Sequence, residues 1–211
     1  MERLHDMLVE YNLTIPKETC LSWSSQFNEP TFPRYWQIVY SLLNGIDRTL
    51  RVVEIGCGQG DITSILCHLN FISVAAYERD THLARIAKDK IIKLFGRTDI
   101  ICPNEFNGEI KEKADILILV NCVYADGISS KDEYLHRIYS WYKAANSPKY
   151  LILEFIDDSF KKDDGIFPEC VRVNPTDIRN LFPQANIDVY QTYLFPLNKK
   201  SKKLYFITIP L

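Results

Sequence analysis

Residues 50–61 read Leu-Arg-Val-Val-Glu-Ile-Gly-Cys-Gly-Gln-Gly-Asp, a short apolar run that gives way to three alternating glycines and then an acid. An apolar run of this length bounded by glycines is a buried strand, and the segment from Asp61 to about Leu69 has the composition of a helix. Gly56, Gly58 and Gly60 permit backbone conformations and a close ligand approach that a Cβ would block. The helix that follows offers free N–H groups to a polar or anionic group. A dinucleotide fingerprint, G-x-G-x-x-G, would place glycine where Asp61 stands. The spacing here is G-x-G-x-G, with Glu54 two residues before the first glycine. An acid so close to the loop repels a pyrophosphate and suits a cationic ligand group.

The same alternation continues outward from this stretch. Phe71 to Glu78 forms a second apolar strand, followed by a helix from about Asp80 to Phe95 that stops at Gly96. Thr98 to Cys102, Ala114 to Val120 and Lys149 to Ile156 repeat the pattern, and a helix from about Lys131 to Ala145 precedes the last of them. Continuous apolar strands separated by helices indicate a parallel sheet covered on both faces. Near the end, Asn174 caps a short helix to about Leu181. Two strands, Ile187 to Leu194 and Lys203 to Ile209, then follow with a short connection and should pair antiparallel. The expected architecture is α/β: a three-layer, Rossmann-like, doubly wound sheet of seven strands, mostly parallel with an antiparallel C-terminal hairpin strand. Residues 1–31 stand apart as an N-terminal helix, Glu2 to Tyr11, and an aromatic segment, and residues 32–211 form the main domain. A second helix is expected from Phe32 to Asn44, capped by Thr31.

Composition limits the function classes. The chain has 211 residues, 46% hydrophobic and 25% charged, with a formal net charge of -2. These values exclude a disordered tail, a fibrous repeat and a disulfide miniprotein. The charge provides no basic field for nucleic acid or acidic lipid. No apolar run reaches the ~20 residues of a membrane helix. The N-terminus has no uninterrupted apolar core of a signal peptide, and the six cysteines form no CxxC pair, so a cytoplasmic protein without a bound metal is expected.

Eighteen residues after Gly60, the second strand ends in Tyr77-Glu78. A carboxylate at that tip can accept hydrogen bonds from both hydroxyls of a ribose. The combination Val-Val-Glu-Ile-Gly-Cys-Gly-Gln-Gly-Asp with Tyr-Glu at the next strand tip resembles the class I S-adenosylmethionine-dependent methyltransferases, and the element order is similar over about residues 32–211. The resemblance implies S-adenosyl-L-methionine as cofactor. Gly56, Cys57, Gly58 and Gly60 would approach its methionyl part, Glu54 would lie near its amino group, and Glu78 would hold the ribose. Asn104, in the loop after the third strand, would contact the adenine amino group, and Arg79 would stack on the base. Asn121 and Tyr124, in the segment after the fourth strand, would border the transferred methyl group. Asn121-x-x-Tyr124 is similar to the Asn-Pro-Pro-Tyr of enzymes that methylate amide or base amino groups, without the prolines.

Methyl transfer from a sulfonium is an in-line displacement, so alignment supplies most of the effect. A base is needed only for a hydroxyl or a protonated amine. Candidates are Asp126, His136, His5 and Glu154, with Tyr124 beside the acceptor. The aromatic density before the first strand suggests a water-excluding lid that includes Tyr11, Trp23, Phe27, Arg34 and Tyr35, with Arg34 near the methionyl carboxylate. The loop from Asp157 to Asn174 would be a second cover. Lys199 to Lys203 reads as a solvated turn that protects a sheet edge. The expected function is methylation of an oxygen or nitrogen of a small-molecule metabolite or natural-product intermediate by a monomer or homodimer. An amide or amino group on a protein or base, or a cofactor-binding partner without turnover, are the alternatives.

Overall fold

The computed structural model describes residues 1–15, 32–107, 113–122, 125–160, 167–194 and 199–210. Trp23, Phe27, Thr31 and Tyr124 lie outside the described residues. The elements run α1 (Glu2–Asn12), α2 (Arg34–Asn44), β1 (Val52–Ile55), α3 (Asp61–His68), β2 (Val74–Tyr77), α4 (Thr81–Phe95), β3 (Ile101–Cys102) and β4 (Ile116–Leu119). After these come α5 (Lys131–Ala144), β5 (Tyr150–Asp157), β6 (Arg172–Val173), α6 (Pro175–Leu181), β7 (Asn186–Leu194) and β8 (Lys199–Thr208).

The strands form one sheet in the order β3-β2-β1-β4-β5-β8-β7, with β6 beside the end of β5. Pairings among β1 to β5 are parallel, whereas β8 is antiparallel to both β5 and β7. The sheet therefore has eight strands rather than seven. The extra one, β6, is two residues long and pairs Arg172 with Ile156, too short to leave a periodic signal. Its Arg172 donates to the carbonyls of Phe160 and Phe167. Both flanks of the long loop after β5 are thereby pinned.

Successive residues of a strand point to opposite faces, and this sorts the core into two. Val52, Ile116, Ile118, Ile152 and Leu204 pack under α1 to α4. Val53, Ile55, Leu117, Leu119, Leu153 and Tyr205 pack under α5 and α6. Leu4 and Leu8 of α1 belong to the first of these cores, so the N-terminal helix shares the main domain's interior. The strand order reverses at β1, between β2 and β4. In such sheets ligands bind at the carboxyl ends of the strands beside the reversal.

Local chemistry sets the boundaries. Asp80 caps α4 by accepting from the N–H groups of His82 and Leu83, an arrangement worth ~1 kcal/mol. The helix stops at Gly96, which is left-handed with φ of 68°. Helix α2 begins at Arg34, not Phe32. Pro33 is extended at ψ 149° and sits at the cap position, while Phe32 turns inward and stacks on Trp36 at 4.8 Å. The lysine run departs most from expectation. Strand β8 starts at Lys199 and carries Lys202 into the interior at 3% exposure. Carboxylates on β5 explain this: Lys202 pairs with Glu154 and Lys203 with Asp157.

Candidate active site

The glycine loop is tied to the end of β2. The N–H groups of Gly56 and Cys57 donate to the Tyr77 carbonyl at 2.8 and 3.0 Å. The N–H of Gly58 donates to Glu78 Oε2 at 2.8 Å, and the N–H of Asp80 to Oε1 at 2.9 Å. Glu78, 7% exposed, thus fixes the loop from below. A carboxylate has about four acceptor sites, so capacity for two further donors remains. Gly60 opens α3 with φ of 78°, and a Cβ there would lie 3.2 Å from Ala87 Cβ on α4. Both the backbone sign and the helix contact require glycine at this point.

Glu54 lies beneath the loop at 3% exposure and accepts from Thr63 Oγ1 at 2.6 Å. Burial pushes its pKa up to about 8; the Thr63 hydrogen bond opposes this, and the charges of Asp61 and Glu78 add to it. The carboxyl is therefore largely protonated at neutral pH. Burial, with Glu54 and Glu78 nearby, also holds the Cys57 thiol well above its ordinary range, so Cys57 packs as a neutral side chain.

Asp61 turns away from the loop. Its Oδ1 meets Lys90 Nζ of α4 at 2.9 Å, with the side chains 12% and 0% exposed respectively. The ring of Tyr11 lies 5.8 Å from the same ammonium, and the Tyr11 hydroxyl donates to Asp89 at 2.9 Å. Tyr11, read from sequence as part of the lid, is instead packing between α1 and α4. With Asp61 paired and Glu54 protonated, the charge repulsion of a pyrophosphate is weaker in the fold than the sequence suggested.

On the other side of β1, Asn121 leaves β4 with φ of 54°. Its N–H donates to Glu154 Oε2 at 3.0 Å, and its Oδ1 accepts from Lys202 Nζ at 2.8 Å. Tyr35 is buried, with its ring 5.5 Å from that ammonium. Arg79 pairs with Asp126 at 2.5 Å in solvent, joining the β2 tip to the loop after β4. Asn104 is exposed beyond β3, its N–H bonded to the Cys102 carbonyl. Phe106, which the sequence reading passed over, is buried edge-on against Tyr77 at 5.1 Å.

The remaining candidates have other neighbours. His136 is exposed on α5 and lines a surface groove with Gly127, Asp132 and Arg137. Arg34 is exposed in a groove between α2 and β7 that Tyr190 also lines. His5 packs edge-on against Phe32, and His68 lies beside Tyr40. Lys90 and Thr63 were absent from the sequence reading, and Lys202 was placed in a solvated turn. Their signal is the acids they serve: Glu154 and Glu54 inside apolar strands, and Asp61 at the head of an apolar helix, each need a partner when buried.

No protein-family model and no curated protein sequence matches the chain. Solved structures do. Magnesium protoporphyrin IX methyltransferase from Synechocystis, with bound S-adenosylhomocysteine, matches at 18% identity and a TM-score of 0.60 over 83% of this chain and 81% of that one. A methyltransferase from Clostridium acetobutylicum matches at 14% identity and a TM-score of 0.60, covering 90% of this chain and 96% of the other. TehB from Haemophilus influenzae matches at 13% identity and a TM-score of 0.61, over 90% and 66%. The chain has the fold of the class I S-adenosylmethionine-dependent methyltransferases.

Proposed function

We propose that the protein transfers a methyl group from S-adenosylmethionine to an oxygen or nitrogen of a small molecule. The observation that carries this reading is Glu78 bonded to the Gly58 N–H, at the strand tip beside the glycine loop and above the buried Glu54. In this reading Glu78 receives the ribose hydroxyls, and Gly56, Cys57, Gly58 and Gly60 line the methionyl part. Glu54 lies nearest the amino group, while Arg79, Asn104 and Asn121 border the rest of the cofactor. The cofactor supplies an electrophilic methyl; the chain's work is to align it with the acceptor and exclude water. The segment from Trp23 to Tyr35, with Arg34, remains the assigned cover on sequence grounds, and Tyr124 an acceptor contact. A base from Asp126 or His136 would be required only for a hydroxyl or a protonated amine.

The matched structures differ in what their names say they act on, a porphyrin in one and small RNA in another. The choice of a small acceptor therefore rests on this chain's net charge of -2 and its lack of basic bias. The amide oxygen of Asn121 already accepts from Lys202, which leaves one acceptor site rather than two for a planar amino group. Among the described residues no helix is long and apolar enough to cross a membrane. A cytoplasmic monomer or homodimer is part of the proposal. Incubation with methyl-labelled S-adenosylmethionine and separated cell fractions tests the acceptor class. Label is expected in the small-molecule fraction; label confined to RNA or protein would assign a different class, and none in any fraction would favour a binding partner without turnover.

Glu54 gives this reading a pH dependence. Its folded value near 8 lies above its ordinary 4.5, so the folded state holds an extra proton between those values. The stability contributed by this group therefore falls as pH rises from 4.5 to 8. A ligand ammonium beside Glu54 favours the carboxylate, so binding releases a proton. Affinity for S-adenosylhomocysteine is expected to rise between pH 6 and pH 8, by up to about tenfold per unit. Calorimetry in two buffers of different ionisation heat should report the released proton, and Glu54→Gln should abolish it. A pH-independent affinity would separate Glu54 from the ligand's amino group.

A further inference from the structure

The turn out of β4 is left-handed at Asn121, a region that most residues avoid and asparagine tolerates. Two buried groups hold it there. Glu154 Oε2 accepts the Asn121 N–H, and Lys202 Nζ donates to the Asn121 side chain. Lys202 reaches this point from β8, in register with Ile156 of β5 and Thr192 of β7. It lies 2.5 Å from Glu154, with the side chains 3% and 0% exposed.

One feature separates this pair from one kept for stability. Buried ion pairs can often be replaced by apolar groups of similar volume at little cost. Groups buried for stability fill their hydrogen-bonding capacity, yet among the described residues Glu154 Oε1 and Thr192 Oγ1, beside Lys202, are buried without a partner. What the pair does hold is Asn121, by main chain and side chain at once. We propose that Lys202 and Glu154 are positioning residues that fix the strand tip at Asn121 in its left-handed conformation and so shape the wall of the donor site. The proposal rests on the methyltransferase reading.

Glu154→Leu with Lys202→Met removes both charges together and leaves neither unpaired. The double variant should remain folded with a melting temperature close to that of the wild type. Its affinity for S-adenosylhomocysteine should fall about tenfold, as the strand tip relaxes from the left-handed region. Adding Asn121→Gly should recover most of that loss, because glycine adopts positive φ without a clamp. Asn121→Ala alone, with the pair intact, should weaken binding to a similar degree, and keeps the proposal testable if the double variant does not fold. Unchanged affinity in the double variant or in Asn121→Ala overturns the proposal, as does a loss that Asn121→Gly fails to rescue. A wild-type protein that binds no S-adenosylhomocysteine would instead overturn the methyltransferase reading itself.

Discussion

Lys90→Met is expected to lower the unfolding free energy by about 3–5 kcal/mol at neutral pH, as removal of one partner of a buried ion pair does. Lys90 is fully buried and its ammonium meets Asp61 at 2.9 Å. Without it, a carboxylate at the head of α3 stands in the interior with no countercharge among the described residues. Domain stabilities are only about 5–15 kcal/mol, so the loss is a large part of the whole. Burial already raises the Asp61 pKa, with Lys90 holding it down. In the variant the pKa should climb further, so protonation neutralises Asp61 at acid pH. The deficit should therefore be larger at pH 8 than at pH 5 in urea denaturation, and Asp61→Asn in the same chain should recover part of it. A deficit below about 1 kcal/mol, the range of exposed pairs, would mean that water reaches this site.

Glu78→Ala is expected to weaken S-adenosylhomocysteine binding by at least about a hundredfold. Two charge-assisted hydrogen bonds to a ribose would be lost, each worth about 1.5–3 kcal/mol. The same substitution frees the N–H groups of Gly58 and Asp80, which the carboxylate now receives. Part of the loss should thus reflect a loosened glycine loop, and circular dichroism should show the fold retained. An unchanged dissociation constant in a folded variant would make Glu78 a loop anchor alone.

The parallel sheet was legible because its strands are buried on both faces and read as unbroken apolar runs between helices. The glycine loop was legible because positive φ at Gly56, Gly58 and Gly60 leaves a compositional mark. Glu78 was legible from its distance to that loop. Long-range pairing was not. Lys202 meets Glu154 across β8 and β5, and nothing in a run of lysines says which one turns inward. The signal lay instead in Tyr150–Asp157, a strand buried over seven of its eight residues that nevertheless contains two acids. Tyr11 was misread for a related reason. Aromatic density marks burial, and only the α1–α4 contact decides against what. Because Leu4 and Leu8 sit in the main core, removing residues 1–30 is a stability change as well as a test of a lid.

Calorimetric titration of the wild-type chain with S-adenosylhomocysteine, alongside a separate titration with NAD, tests the central claim most directly. The site built on Glu78, the glycine loop and Glu54 should give saturable heat with S-adenosylhomocysteine, one molecule per chain, competed by S-adenosylmethionine, and none with NAD. Saturable heat with NAD and none with either sulfur compound would contradict the account.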